Sequence, residues 1–126
     1  MSHDVFFAVF PLWLKAFVLT QLVEVPVYWA VARRNGDLSK QPPTWRVLLA
    51  AAAGTTLTHP LFWFVWPLAI HDYTTYMISG ELIVTFVEIF VFWGLARPIG
   101  FRIAVAAAVL ANSASYLAGL LLRFVF

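Results

Sequence analysis

Three of the chain's six acidic residues, Glu24, Glu81 and Glu88, lie inside long apolar runs. An ionised carboxylate in hydrocarbon is costly unless it is paired or wetted, so residues of this kind at such positions point to function. Their neighbours repeat at helical spacing. Glu81 and Glu88 are two turns apart with Thr85 between them on the same face, and Thr20 and Gln21 precede Glu24 by one turn. In the second apolar run Thr55 and His59 are four apart with Thr58 alongside, and in the fourth Asn112, Ser115 and Gly119 recur at the same period. Each of four apolar segments thus owns one polar face, and in lipid such faces turn inward toward one another.

Three chemistries suit that polar interior. Two facing carboxylates resist double ionisation, so one of them binds and releases a proton. This favours movement of a proton, cation or small solute, with Glu24 and Glu88 as the exchanging pair, Glu81 as an outer relay and His59 and Asn112 as partners. Gln21, Thr55, Thr58, Thr85 and Ser115 support them. The first alternative is an accessory subunit whose polar stripes are interhelical glue. The second is an intramembrane enzyme in which Glu24, His59, Glu81 and Glu88 ligate a metal or act as general acid and base. That enzyme would lack HExxH and have one histidine within its spans. No cofactor is expected, a metal ion at the Glu and His positions being the one option. With no cysteine, thiolate ligands and cysteine nucleophiles are excluded.

The elements that must carry these residues are four apolar stretches: Phe6 to Ala32, Val47 to Ile70, Tyr76 to Ala96 and Ile103 to Phe126. Each is long enough to cross a hydrocarbon core of about 30 Å as a helix. The second has no charged residue, and the fourth has none from Ile103 to Leu122. Pro11 and Lys15 place the opening of the first at the interface, before its true span. The expected fold is an all-α integral membrane bundle of four transmembrane helices in a single domain, residues 1–126. The chain is 63% hydrophobic and 11% charged, with a mean hydropathy of +0.87, more than one small soluble core could hide. The lipid bilayer is therefore its first partner. Its basic residues are scattered at segment ends as topology signals, which argues against nucleic acid.

Arg33, Arg34, Lys40, Arg46, Arg97 and Arg102 flank the first and third loops, against Lys15 and Arg123 toward the other face. Cytoplasmic loops retain positive charge, so both termini are expected outside, without a cleaved signal peptide. The stretch NGDLSKQPPT (35–44) reads as a cytoplasmic turn, and His71, Asp72 and Tyr73 as a tight external one.

Thr20 to Arg33 (TQLVEVPVYWAVAR) and Val84 to Arg97 (VTFVEIFVFWGLAR) share six of fourteen positions, among them Glu24 and Glu88. The following helices align more loosely, Thr55, Thr56 and Thr58 against Asn112, Ser113 and Ser115. Two parallel helical-hairpin repeats are expected, about 13–70 and about 76–126, related by an axis along the membrane normal, with Glu24 facing Glu88 across it. Glu81 breaks the repeat because Phe17 occupies its counterpart position. Pro26 and Pro60 free the carbonyls of Leu22 and Thr56 and should bend their helices beside polar residues. The aromatic run from Leu61 to Pro67 reads as an interfacial belt, and Ala50–Ala53 and Ala106–Ala108 as close helix packing. Four helices rarely enclose a pathway alone, so a homo-oligomer or larger membrane complex is expected. The compact chain fits a bacterial inner membrane.

Overall fold

The computed structural model describes residues 2–34, 39 and 41–123. Four helices account for nearly all of them: α1, His3–Arg33; α2, Thr44–Ala69; α3, Tyr73–Leu95; and α4, Phe101–Arg123. There is no strand among the described residues. All four helices are long and apolar enough to cross a membrane. Residues 35–38 and 40 of the turn expected over 35–44, and residues 124–126 of the expected fourth span, lie outside the described residues.

Local chemistry sets the helix starts. Ser2 caps α1, its hydroxyl accepting from the Val5 amide at 3.4 Å. Asp72 caps α3 by accepting from the Thr75 amide at 2.9 Å and its hydroxyl at 2.7 Å. These bonds favour the charged form and hold the exposed Asp72 carboxyl below its ordinary range. Because Asp72 is the cap, Tyr73 is the first residue of α3 and not part of the turn expected over 71–73.

Prolines modify the helices without ending them. Pro11 and Pro26 both lie inside α1, which continues to Arg33. At Pro60 the missing amide leaves the Thr56 carbonyl without its usual donor, and α2 answers with a wider π turn over Leu61–Val65. It then resumes as an α-helix for Trp66–Ala69.

Helix α1 packs against α2 and α4, and α3 packs against the same two, so the four close a ring. The contact layer is built from small residues: Ala50, Ala51, Ala104, Ala107, Ala108 and Ala111 are almost fully buried. Side chains this small let backbones approach closely, which is how helices gain packing energy in lipid. Tyr28 and Phe92 fill the space between the helices, with ring centroids 4.5 Å apart. Outward, Leu22, Leu82, Phe86 and Leu121 are each more than 60% exposed, an apolar surface that lipid must cover. Basic side chains gather at one end: Arg33 donates to Gln41 at 3.1 Å and to Thr44, Arg46 donates to the Arg97 carbonyl at 2.8 Å, and Arg97 lies over the Trp93 ring.

Candidate functional site

Glu24 and Glu88 meet in the centre of the bundle, with 2% and 1% of their surface exposed. Every carboxylate oxygen accepts a hydrogen bond from another helix. Glu24 takes Thr55 Oγ1 from α2 at 2.6 Å and Ser115 Oγ from α4 at 2.7 Å. Glu88 takes Thr58 Oγ1 from α2 at 2.7 Å, Asn112 Nδ2 from α4 at 2.7 Å and Tyr28 Oη from α1 at 3.1 Å. Among the described residues no lysine or arginine joins them, and the hydrogen bonds to the pair come from hydroxyls and one amide.

Two of those hydroxyls have a second partner. Thr58 Oγ1 also lies 3.0 Å from the Gly54 carbonyl, and Ser115 Oγ lies 3.1 Å from the Asn112 carbonyl. A hydroxyl has one proton to give and lone pairs to receive another. Beside an ionised carboxylate, each hydroxyl donates to it. Beside a protonated carboxyl, the acid donates to the hydroxyl oxygen and the hydroxyl donates to the backbone carbonyl. Either protonation state therefore leaves the buried groups satisfied.

The pair forms the floor of a cavity of about 750 Å³ that reaches Leu12 and Tyr73 at the end of the bundle carrying the α2–α3 turn. Tyr28 and Phe92, both about 1% exposed, lie behind the carboxylates toward the basic end. Glu81, Thr58, His59, Asn112 and Ser115 line the same cavity. Phe62 and Trp63 line it as well. Two rings of the aromatic run expected as an interfacial belt, both within the π turn, thus line the cavity. Phe62 stacks on Tyr76 at 4.8 Å, and Tyr76 Oη donates to the Phe62 carbonyl at 2.8 Å.

The remaining expected site residues divide between the cavity wall and the helix joints. His59 lies 3.4 Å from Thr20 Oγ1 and not within hydrogen-bond reach of a carboxylate, its ring packing near Phe17 and Trp63. Its buried Nδ1 has no partner among the described residues. Gln21 faces α2, donating to the Ala52 carbonyl at 3.3 Å and Thr56 Oγ1 at 3.2 Å, away from the pair. Thr85 donates to the Glu81 carbonyl at 2.8 Å and lines a second cavity. Among the described residues no three His, Cys, Asp or Glu side chains form a metal-ligand group. Tyr28 and Gly54 complete the site without having been expected there, Gly54 having been read with Ala50–Ala53 only as close helix packing. Tyr28 follows Glu24 by one turn, and that spacing alone signalled it. A Cβ at Gly54 would sit 3.2 Å from Glu88 Cγ, so the glycine admits the glutamate between α2 and α3.

The fold and site define a multi-pass helical membrane protein with a buried, hydrogen-bonded carboxylate pair. No family model, curated protein or solved structure matches the chain.

Proposed function

We propose that the chain moves protons or small cations, or a small solute coupled to them, through its polar interior, with Glu24 and Glu88 as the exchanging pair. The observation that carries this is the placement of Thr58 and Ser115, each within reach of one carboxylate and one backbone carbonyl. A site meant to hold a fixed charge has no need of such switchable donors. A site that changes protonation does, since each unsatisfied buried group would be costly. Glu81, on the cavity wall beyond the pair, serves as the outer relay, with His59 and Asn112 as polar partners.

The pair also supports two parallel hairpin repeats. With α1 set on α3 by 64 residues, buried Glu24, Tyr28 and Ala32 match buried Glu88, Phe92 and Ala96. With α2 set on α4 by 57, Val47, Ala50, Ala51, Gly54 and Thr55 match Ala104, Ala107, Ala108, Ala111 and Asn112, all buried. The same pairing exchanges the hydrogen bonds. Thr55 to Glu24 becomes Asn112 to Glu88, and Ser115 to Glu24 becomes Thr58 to Glu88. Two-fold related sites offer two equivalent arrangements, as alternating access requires. Both termini lie outside, the chain sits in a bacterial inner membrane, and it works as a homo-oligomer or within a larger complex.

A structural role is the second reading, favoured by the same bonds, which join all four helices. Glu88→Gln separates the two. The amide oxygen accepts from Tyr28 and Asn112, and the amide nitrogen donates to Thr58, which turns to Gly54, so the variant mimics the protonated site. In liposomes containing a pH-sensitive dye, the wild-type chain should carry a proton flux that Glu88→Gln abolishes without loss of thermal stability. Intact flux in the variant would sink the exchange mechanism.

A further inference from the structure

The central cavity has a neighbour. A second cavity of about 570 Å³ lies between α3 and α4, and it shares Met77, Glu81, Asn112 and Tyr116 with the first. Its outer rim is apolar and exposed: Ile78 is 59% accessible, Leu82 67%, Phe86 63% and Val109 44%. Such a rim faces acyl chains in a membrane. A thin wall of four side chains therefore separates the carboxylate pair from the bilayer.

Glu81 stands in that wall. Thr85 occupies its backbone carbonyl, and no hydrogen bond or ion pair among the described residues reaches its carboxylate. Among the described residues no lysine or arginine lines either cavity, although the chain as a whole is net positive by two charges. Toward its open end the central cavity has an aromatic wall, with Phe62, Trp63, Tyr73 and Tyr76 in its lining. Ring faces attract cations, and most strongly where water is scarce.

We propose that the site takes a membrane-dissolved amphiphile with a cationic head, which enters laterally between α3 and α4 past Glu81 and seats its head toward Glu24 and Glu88. This rests on the exchange role of the carboxylate pair and names its cargo. The apolar rim accepts the tail, the unneutralised Glu81 meets the head first, and the aromatic walls replace its hydration. A head that reaches the pair takes the place of a proton, which is released into the central cavity that Glu24 and Glu88 line.

The test is equilibrium binding to the full chain in lipid nanodiscs, corrected against empty discs. The probes are radiolabelled dodecyltrimethylammonium and dodecanesulfonate, equal in chain length and opposite in permanent charge. The expected result is saturable binding of the cation with an affinity at least about tenfold above that of the anion, and a similar loss in Glu81→Gln, as expected for a charged contact. The net positive chain would otherwise favour the anion. Equal binding of both probes, or cation binding that Glu81→Gln leaves unchanged, would overturn the assignment. Ser113→Trp fills the exposed opening of the second cavity and should slow cation association severalfold, whereas unaltered association would overturn lateral entry. Proton flux in liposomes keeps the two proposals distinct. Flux without cation binding overturns the cargo and leaves exchange standing, while selective cation binding without flux does the reverse.

Discussion

In the proposed repeat Glu24 and Glu88 occupy equivalent positions, but their surroundings are unequal. Tyr28 donates to Glu88, whereas its counterpart Phe92 has no hydroxyl to offer Glu24. Tyr28→Phe should therefore leave the bundle folded, cost no more than about 1.7 kcal/mol, and shift the pH dependence of flux, because one donor to the ionised form of Glu88 is removed. An unchanged pH profile would assign Tyr28 to packing alone. Asp72 offers a cleaner acid-side test. Its folded carboxyl titrates below the unfolded value, so its contribution is present above the ordinary Asp range and is lost as pH falls through the depressed value. Asp72→Asn should thus melt lower than the wild type near neutral pH and match it in strong acid. A melting difference that persists in acid would contradict the cap. The carboxylates and their hydroxyls were legible in the sequence because a polar residue in an apolar run is conspicuous and helical spacing fixes its face. Tyr28 was not, since one more aromatic ring in an aromatic-rich helix looks like packing until its hydroxyl is located. His59 stood out equally well, yet spacing could place it only on the polar face of α2, not say that its ring would turn to Thr20.

At the scale of elements, long apolar runs made the four helices plain, and over the described residues the run boundaries fell within a few residues of the helix ends. What the runs could not reveal was the answer of α2 to Pro60. A proline removes one donor, and whether the helix kinks, ends or widens depends on what the following turn can pack against. Here the π turn brings Phe62 against α3, where Gly80 leaves room for it. A Cβ at Gly80 would overlap the Phe62 ring, and that ring is pinned by its stack on Tyr76 and by the Tyr76 hydroxyl on the Phe62 carbonyl. Gly80→Ala should accordingly cost about 1–3 kcal/mol, the range for overpacking a well-filled site. The same change at Gly94, where a Cβ meets nothing within 4 Å, should be neutral or mildly stabilising. Thermal melting of the two variants in one detergent checks the contrast. Equal effects would mean that the π turn and α3 are not packed as described.

The whole molecule has a closed end and an open one. Arg33, Arg46 and Arg97 gather behind the Tyr28 and Phe92 rings, while the cavity leads from the carboxylates to the end carrying the α2–α3 turn. Positive charge is retained in cytoplasmic loops because moving it across the membrane is costly, and six basic residues against two at the loop ends set a clear bias. The basic end should then be cytoplasmic, the termini external, and the cavity open to the outside. The chain has no cysteine, so single cysteines report position without background. Ser2→Cys and His71→Cys in intact cells should react with a membrane-impermeant maleimide, whereas Ser39→Cys should react only after permeabilisation. The reversed pattern would turn the cavity toward the cytoplasm and make Glu81 an inner relay. Mixed labelling at one site would instead imply two insertion orientations. That outcome would leave the proposed parallel hairpins intact within each copy, while the cavity and its carboxylate pair would face both compartments in different copies.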